Sequence, residues 1–390
     1  MAPRSRPARI AFFDAYAQTE GAGLALLDLL AHIDRRRFEP IILLPRPGAL
    51  AGAAAEAGLP VRTIEPPPPL DAYGHRLPSA GVGEKLRAGV ALARYSRTIA
   101  RRLRADSIDL LHCNQTRAAV TAGPGGRLAR LPVVWNVRIH ERLPRSLVRV
   151  ADVCSDLIIP LTDRDFAGLP DEQRLLRKST VIRNAIDTQR FSPAGRGIAL
   201  RSAPGVAQDA PVILSAGVLV RRKGFDVLLR AMGRVLVHLP EARLLIAGGE
   251  PAGHPGCRAE LEALVRDLGI APNVVLLGRR EDMPDLLRAC DLFALPSRHE
   301  GDPAVVLEAM ATARPVVVSS PAAAAVDHGE TGLVVPTGDE GALAEALIAL
   351  LRRSERARRM GAEGRRVVVQ RHDIRAMARR YEAAWAGLLR

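Results

Sequence analysis

Short apolar runs of four to seven residues alternate along the chain with longer stretches in which apolar positions recur every three or four residues. Runs of the first kind suit strands buried on both faces, and stretches of the second kind suit amphipathic helices. The alternation predicts β-α-β units, with parallel sheets covered by helices on both sides. In the first half, strands are expected at Arg9–Ala15, Pro40–Leu44, Ile108–Cys113, Val133–Val137 and Leu157–Pro160. The pattern restarts at Val212–Ala216, Arg243–Ala247, Val274–Leu277, Leu292–Leu295, Pro315–Val318 and Leu333–Val335. Between the halves, Phe191–Pro211 holds Ser192-Pro193, Gly195, Gly197, Pro204-Gly205 and Pro211, and reads as a linker. Pro66–Pro69 and the residues to Gly83 read as an extended excursion. A last helix is expected over Ile374–Leu389; no strand follows it, so it must dock on structure already built.

At 390 residues the chain is long enough for two doubly wound α/β domains, divided near residue 200. Its 48% apolar and 25% charged composition is that of a globular protein. Charge is less ordinary, with 56 basic against 42 acidic residues and a net +14. Bases outnumber acids 13 to 3 over residues 86–149 and 12 to 4 over 351–390. Aromatics make up only 3%, which leaves few platforms for stacking bases, and no nucleic-acid-binding signature appears, so a nucleic-acid partner is not expected. Cys113, Cys154, Cys257 and Cys290 are widely separated, which indicates neither a zinc site nor a disulfide framework. With no signal-like apolar run, the expected location is cytoplasmic.

Two stretches carry candidate chemistry. In Asp291–Val318, Glu300-Gly301 lies in a loop after a strand, and Asp302-Pro303 forms a helix start, with Asp302 as N-cap and Pro303 as first helical residue. The helix that follows is apolar or small except for Glu308 and Thr312. A carboxylate on a segment wedged between hydrophobic strands needs partners. Ligand hydroxyls supply them at the C-terminal edge of a parallel sheet, and an internal salt bridge or a solvent-facing side chain is the competing explanation. In Val212–Met232, Gly217 opens a loop carrying Arg221, Arg222 and Lys223, and Gly224 precedes a helix with the stripe Phe225, Leu228, Leu229, Met232 and Leu236. Three cations at a sheet's ligand edge suit a diphosphate whose oxygens gain charge as it leaves.

GVLVRRKG, followed about eighty residues later by Glu300 and Glu308 at E-x7-E spacing, then LEAMATARPVVVSS and HGETGLVVPTGD, resembles the second domain of family 4 of the retaining glycosyltransferases, which have the GT-B fold. RIAFFDAYAQTEGAGLALLDLLAHIDRRRFEPIILLP, LLHCNQTRAAVTAGPGGRLARLPVVWNVR and VIRNAIDTQRF extend the resemblance over nearly the whole chain. It implies two Rossmann-like domains facing across a cleft: an acceptor-side domain over 1–195, a nucleotide-sugar domain over 196–370, and a C-terminal helix, 371–390, crossing back to the first. Lys223, with Arg222 or Arg221, would hold the donor diphosphate. Glu300 would touch the donor sugar, Glu308 the ribose hydroxyls, and the backbone of Gly301, Asp302, Pro303, Ala304 and Val305 would face sugar and phosphate. Gly21 and Gly23 would let the first loop approach the phosphates, Gly217 would open the phosphate loop, and Gly278-Arg279 would meet the base. Either Arg138 or His140 takes the place of the family's first-domain histidine, with His112 a lesser candidate.

The resemblance implies no metal and no cofactor beyond the nucleotide-sugar substrate. This chain departs from the pattern at Gly217-Val218, where Gly-Arg is usual. It departs again at Gly21-Ala22-Gly23, where Gly-Gly is frequent, and at Ser320-Pro321-Ala322-Ala323-Ala324, where the family has G-G-x-P-E. The implied activity is retaining transfer of a sugar to a hydroxyl acceptor, a glycan or lipid-linked glycan of cell-surface polysaccharide synthesis. The alternative is a weakened GT-B protein that binds a nucleotide sugar or a partner enzyme without turnover. On this reading the two basic segments form one surface suited to peripheral contact with an anionic inner membrane face.

Overall fold

The computed structural model describes residues 6–18, 21–71, 81–138, 144–167, 171–195, 210–250 and 256–390. They form two compact units, one of Met1–Arg183 with Arg375–Arg390 and one of Asn184–Ile374.

The first unit holds β1 (Ala8–Asp14), β2 (Phe38–Leu44), β3 (Val61–Thr63), β4 (Leu110–Asn114), β5 (Val133–Val137) and β6 (Leu157–Pro160). They pair in parallel in the order β3-β2-β1-β4-β5-β6. The second unit repeats the plan with β7 (Val212–Ala216), β8 (Arg243–Ala247), β9 (Val274–Gly278), β10 (Leu292–Leu295), β11 (Val316–Ser319) and β12 (Leu333–Val335). Its order is β12-β11-β10-β7-β8-β9, again all parallel.

Burial on both faces explains the unbroken apolar runs. In the second sheet Ile213, Leu244, Leu292, Ala294 and Val317 join one hydrophobic cluster. The alternate residues Leu214, Leu245, Phe293, Leu295 and Val318 join another on the opposite face. The expected strands are all present. β3 was not expected: it is three residues long, lies at the sheet edge, and only Val61 is even half-buried, so it carries no apolar run.

Two boundaries differ from expectation. The division falls after Arg183, not near 195, because the following residues are tied into the second unit. Asn184 binds Asp302 through its backbone N–H (3.0 Å) and its carboxamide (2.7 Å), the Ile186 N–H donates to the His372 carbonyl, and the Thr188 hydroxyl donates to Asp373 at 2.7 Å. Part of the supposed excursion, Pro68–Asp71, is a helical turn, and a long helix covers Val82–Ala105. Most of the supposed linker, 196–209, lies outside the described residues.

The final helix spans Ile374–Leu388, and from Arg375 onward it belongs to the first unit. Its stripe is buried at Ile374, Met377, Tyr381 and Trp385. The Trp385 ring packs edge-on against Phe12 and Phe38, each 5.5 Å away, and its N–H donates to His112 Nδ1 at 3.3 Å. His112 is therefore a core residue under this helix. Burial, with Arg138's charge adding to it, pushes its pKa down to about 3 from an ordinary 6.5.

The unfolded chain takes up this proton below about pH 6.5 and the folded one only near 3, so stability falls on acidification across that window, by about 1.4 kcal/mol per pH unit. Denaturant melts of wild type and His112→Phe from pH 7.5 to 4.5 will show the steeper loss in wild type; parallel slopes would refute it.

Candidate functional site

Strand order reverses in the second sheet between β7 and β10, and open α/β sheets hold ligands beyond the strand ends at such a point. Two loops meet there. After β7, Gly217 donates its N–H to Ala247 O at 2.9 Å, and Arg221–Lys223 form a tight 3-10 turn. Gly224 follows in the left-handed region at φ +70°, and a Cβ there would lie 2.1 Å from Pro296 O, so glycine alone fits both the turn and the approach. Gly224 also starts the helix Phe225–His238, whose inner face is anchored by Phe225, Leu228, Leu229 and Met232.

Lys223 and Glu300 close the space between the loops. Lys223 Nζ lies 2.5 Å from Glu300 Oε1, with the two side chains only 9% and 8% exposed. The Ser297 hydroxyl donates to the same oxygen at 2.9 Å, and Arg222 Nη1 stands 3.6 Å from it. Burial pulls the Lys223 pKa below its ordinary value, against the opposing pull of the Glu300 charge.

The three cations do not share one task. Arg222 turns to Glu300, whereas Arg221 is 88% exposed and faces Glu260 at 3.6 Å. Arg222 is thus the arginine beside Lys223, and Arg221 lies apart from the pair.

Asp302 is not the helix cap expected of it. The helix spans Ala304–Ala311 with Pro303 as its cap residue and no side-chain cap bond; the Asp302 carboxylate accepts the Asn184 N–H instead. Gly301, Pro303, Ala304 and Val305 lead into this helix, and Glu308 stands one turn inside it, half-buried among buried Val306, Leu307, Ala309 and Met310. Gly278 ends β9 and accepts the Gly248 N–H at 2.8 Å, with Arg279 exposed beyond it.

In the first sheet the order reverses between β1 and β4, whose last residues are Asp14 and Asn114. Asn114 Nδ2 donates to Asp14 at 2.7 Å, and the Asp14 carboxylate also accepts the backbone N–H of Tyr16 and of Ala17. Burial pushes the Asp14 pKa up, against these bonds and the charge of Arg138. Arg138 follows β5 and is 7% exposed. His140 lies outside the described residues.

Gly21 and Gly23 differ. A Cβ on Gly21 meets nothing, whereas one on Gly23 would lie 2.2 Å from Gln18 O, so the second glycine serves the protein's own backbone. Gly23→Ala will cost about 1–3 kcal/mol in a thermal melt, and Gly21→Ala will be neutral or stabilising.

Sequence reasoning missed Ser297, Asp14 and Asn114. The signal was present: each is a polar residue at or just after the end of an apolar strand. Among the described residues, no group of three or more His, Cys, Asp or Glu side chains is placed to hold a metal ion. Among them too, no helix is long and apolar enough to cross a membrane.

Residues 210–353 match the family model described as glycosyl transferases group 1. A lipopolysaccharide core biosynthesis mannosyltransferase of Rhizobium meliloti is 31% identical over 216 residues, covering 54% of this chain and 62% of that one. A GDP-mannose-dependent monoacylated alpha-(1-6)-phosphatidylinositol monomannoside mannosyltransferase of Corynebacterium glutamicum is 38% identical over 196 residues, 47% of this chain and 49% of that one. The chain thus spans 49% to 62% of the length of these relatives. Among solved structures, Anabaena HepE in complex with UDP and glucose matches with a TM-score of 0.80 at 23% identity, over 97% of this chain and 99% of that one. A glycosyltransferase from Rickettsia africae matches with 0.81 at 15% identity, over 98% and 99%. The fold is GT-B, with two Rossmann-like units.

Proposed function

We infer that this chain, a member of the glycosyl transferases group 1 family through residues 210–353, is a retaining, metal-independent transferase that moves a sugar from a nucleoside-diphosphate donor to a hydroxyl acceptor. One observation carries the reading: Lys223 and Arg222 converge on Glu300 at the switch point of the second sheet. A diphosphate entering there takes the two cations, which stabilise the charge it gains on leaving. Glu300, released from Lys223, accepts hydrogen bonds from hydroxyls of the donor sugar. Glu308 is assigned to the ribose and the backbone at Gly278-Arg279 to the base. Either Arg138 or His140 is assigned the place of the family's first-domain histidine, and retention places the acceptor's attack on the face the diphosphate leaves.

The relatives' names, with their lipopolysaccharide core and phosphatidylinositol mannoside products, support a glycan or lipid-linked acceptor. The helix Val82–Ala105 supports peripheral contact with an anionic membrane from the cytoplasmic side. Lys85, Arg87, Arg94, Arg97, Arg101 and Arg104 are exposed along it, beside Leu86 (70% exposed) and Val90 (47%). Co-sedimentation with vesicles will show binding to anionic lipid and none to neutral lipid; equal binding to both, or none to either, refutes the contact.

A donor panel tests the activity. Thermal shift against UDP-, GDP- and ADP-sugars identifies the donor, and transfer and donor hydrolysis are then compared in wild type and Glu300→Ala. Turnover lost in the variant supports the transferase. Tight binding without turnover in either protein supports the non-catalytic alternative, which the segment Ser320–Ala324 favours: Ser320 and Pro321 stand where the family pattern has its glycine pair, and half-buried Ala324 stands where it has its carboxylate.

A further inference from the structure

Arg298 lies on the outer side of the same two loops and touches every part of the basic turn except Lys223. Its backbone N–H donates to Arg222 O at 2.7 Å. Its guanidinium donates to Arg221 O at 2.9 Å and, as a fork, to both oxygens of Asp226, each at 2.7 Å. Asp226 stands in the first turn of the helix Phe225–His238, so one side chain bridges the Glu300 loop, the carbonyl side of the basic turn and the helix that follows it. The pair is partly exposed, at 34% and 40%, and an ordinary surface ion pair of that kind adds little to stability. A planar fork does something else well, which is to fix geometry.

We propose that Arg298 is a positioning residue that locks the Arg221–Lys223 turn onto the Glu300 loop, so that Lys223 and Arg222 are held in place for a diphosphate before it arrives. The consequence for diphosphate rests on the donor-site reading above; the lock itself does not. The clamp presets the backbone of Arg221 and Arg222, and Lys223, next in the chain, inherits its direction. Without the guanidinium, the Arg221 carbonyl keeps only the Gly224 N–H and Asp226 loses its fork, so the turn is tied to the Glu300 loop by the backbone bond at Arg222 alone; it samples other conformations, and part of the binding energy goes into reordering it.

Hydrogen exchange and nucleotide titration on Arg298→Ala, Arg298→Lys and Asp226→Asn test this in the full chain. Amide exchange over 221–224 will rise about tenfold in Arg298→Ala, with the melting temperature nearly unchanged. Arg298→Lys keeps the charge but not the fork and will recover only part of the protection; Asp226→Asn combined with Arg298→Ala will add little to Arg298→Ala alone. Of UDP, GDP and ADP, the one that binds wild type will bind Arg298→Ala about five- to twentyfold more weakly, while the matching monophosphate binds both equally.

Unchanged exchange over 221–224 overturns the lock. Equal loss for mono- and diphosphate overturns its role in phosphate placement. If no nucleoside diphosphate binds wild type, the donor-site reading fails and, with it, the role assigned to the lock, while the exchange result still decides whether the lock exists.

Discussion

If Lys223 holds a leaving diphosphate as proposed, Lys223→Ala will lower sugar transfer by about a hundred- to a thousandfold, the range found when a preorganised charge-stabilising donor is removed from an active site. It will also destabilise the second unit, because Glu300 is only 8% exposed and loses its closest cation. Removing one partner of a buried ion pair costs about 3–5 kcal/mol, and Arg222, 3.6 Å away and half exposed, compensates only in part. The two effects separate in the double variant. Lys223→Ala with Glu300→Gln removes the unpaired charge, so stability recovers while transfer does not. Thermal melts and initial rates on the three proteins decide the matter; a double variant as unstable as the single one would show that the loss comes from packing of the lysine stem and not from charge.

Trp385→Ala will be the most destabilising substitution in the first unit. The side chain is fully buried between Phe12, Phe38, His112 and Tyr381, and truncating such an aromatic costs about 3–5 kcal/mol. For a unit of roughly 200 residues that is a drop of about 10 °C in melting temperature, at about 2–4 °C per kcal/mol. Trp385→Phe keeps most of the volume and will lose less than half as much. The loss will fall on the transition of the first unit; a lower transition in the second unit with the first unmoved would refute the assignment of this helix.

Strands were legible because burial on both faces writes a continuous apolar run, and β3 was not, because three residues at a sheet edge write none. The Glu300 and Lys223 loops were legible as charged residues placed after such runs. What local sequence does not carry is where a side chain finds its partner. Asp302 has the local appearance of a helix cap, yet its partner is Asn184, 118 residues away. Arg221, Arg222 and Lys223 look equivalent in sequence, but a 3-10 turn has about three residues per turn, so successive side chains point roughly 120° apart and cannot all face one carboxylate. The sorting of the three cations is a property of that turn. His112, likewise, reads as a strand-end histidine until the last helix is laid over it.

That last helix also sets an order of events during synthesis. Phe12 and Trp385 meet edge-on in one core though almost the whole chain lies between them. The first sheet is complete as a hydrogen-bonded ladder once β6 has been made, but Phe12, Phe38 and His112 gain their contacts with Trp385 only when Ile374–Leu388 has been made. Through translation of the entire second unit, that aromatic cluster lacks its tryptophan. A fragment that stops short of Ile374 lacks the Tyr381 and Trp385 side of this cluster, a consequence of where this one helix is encoded.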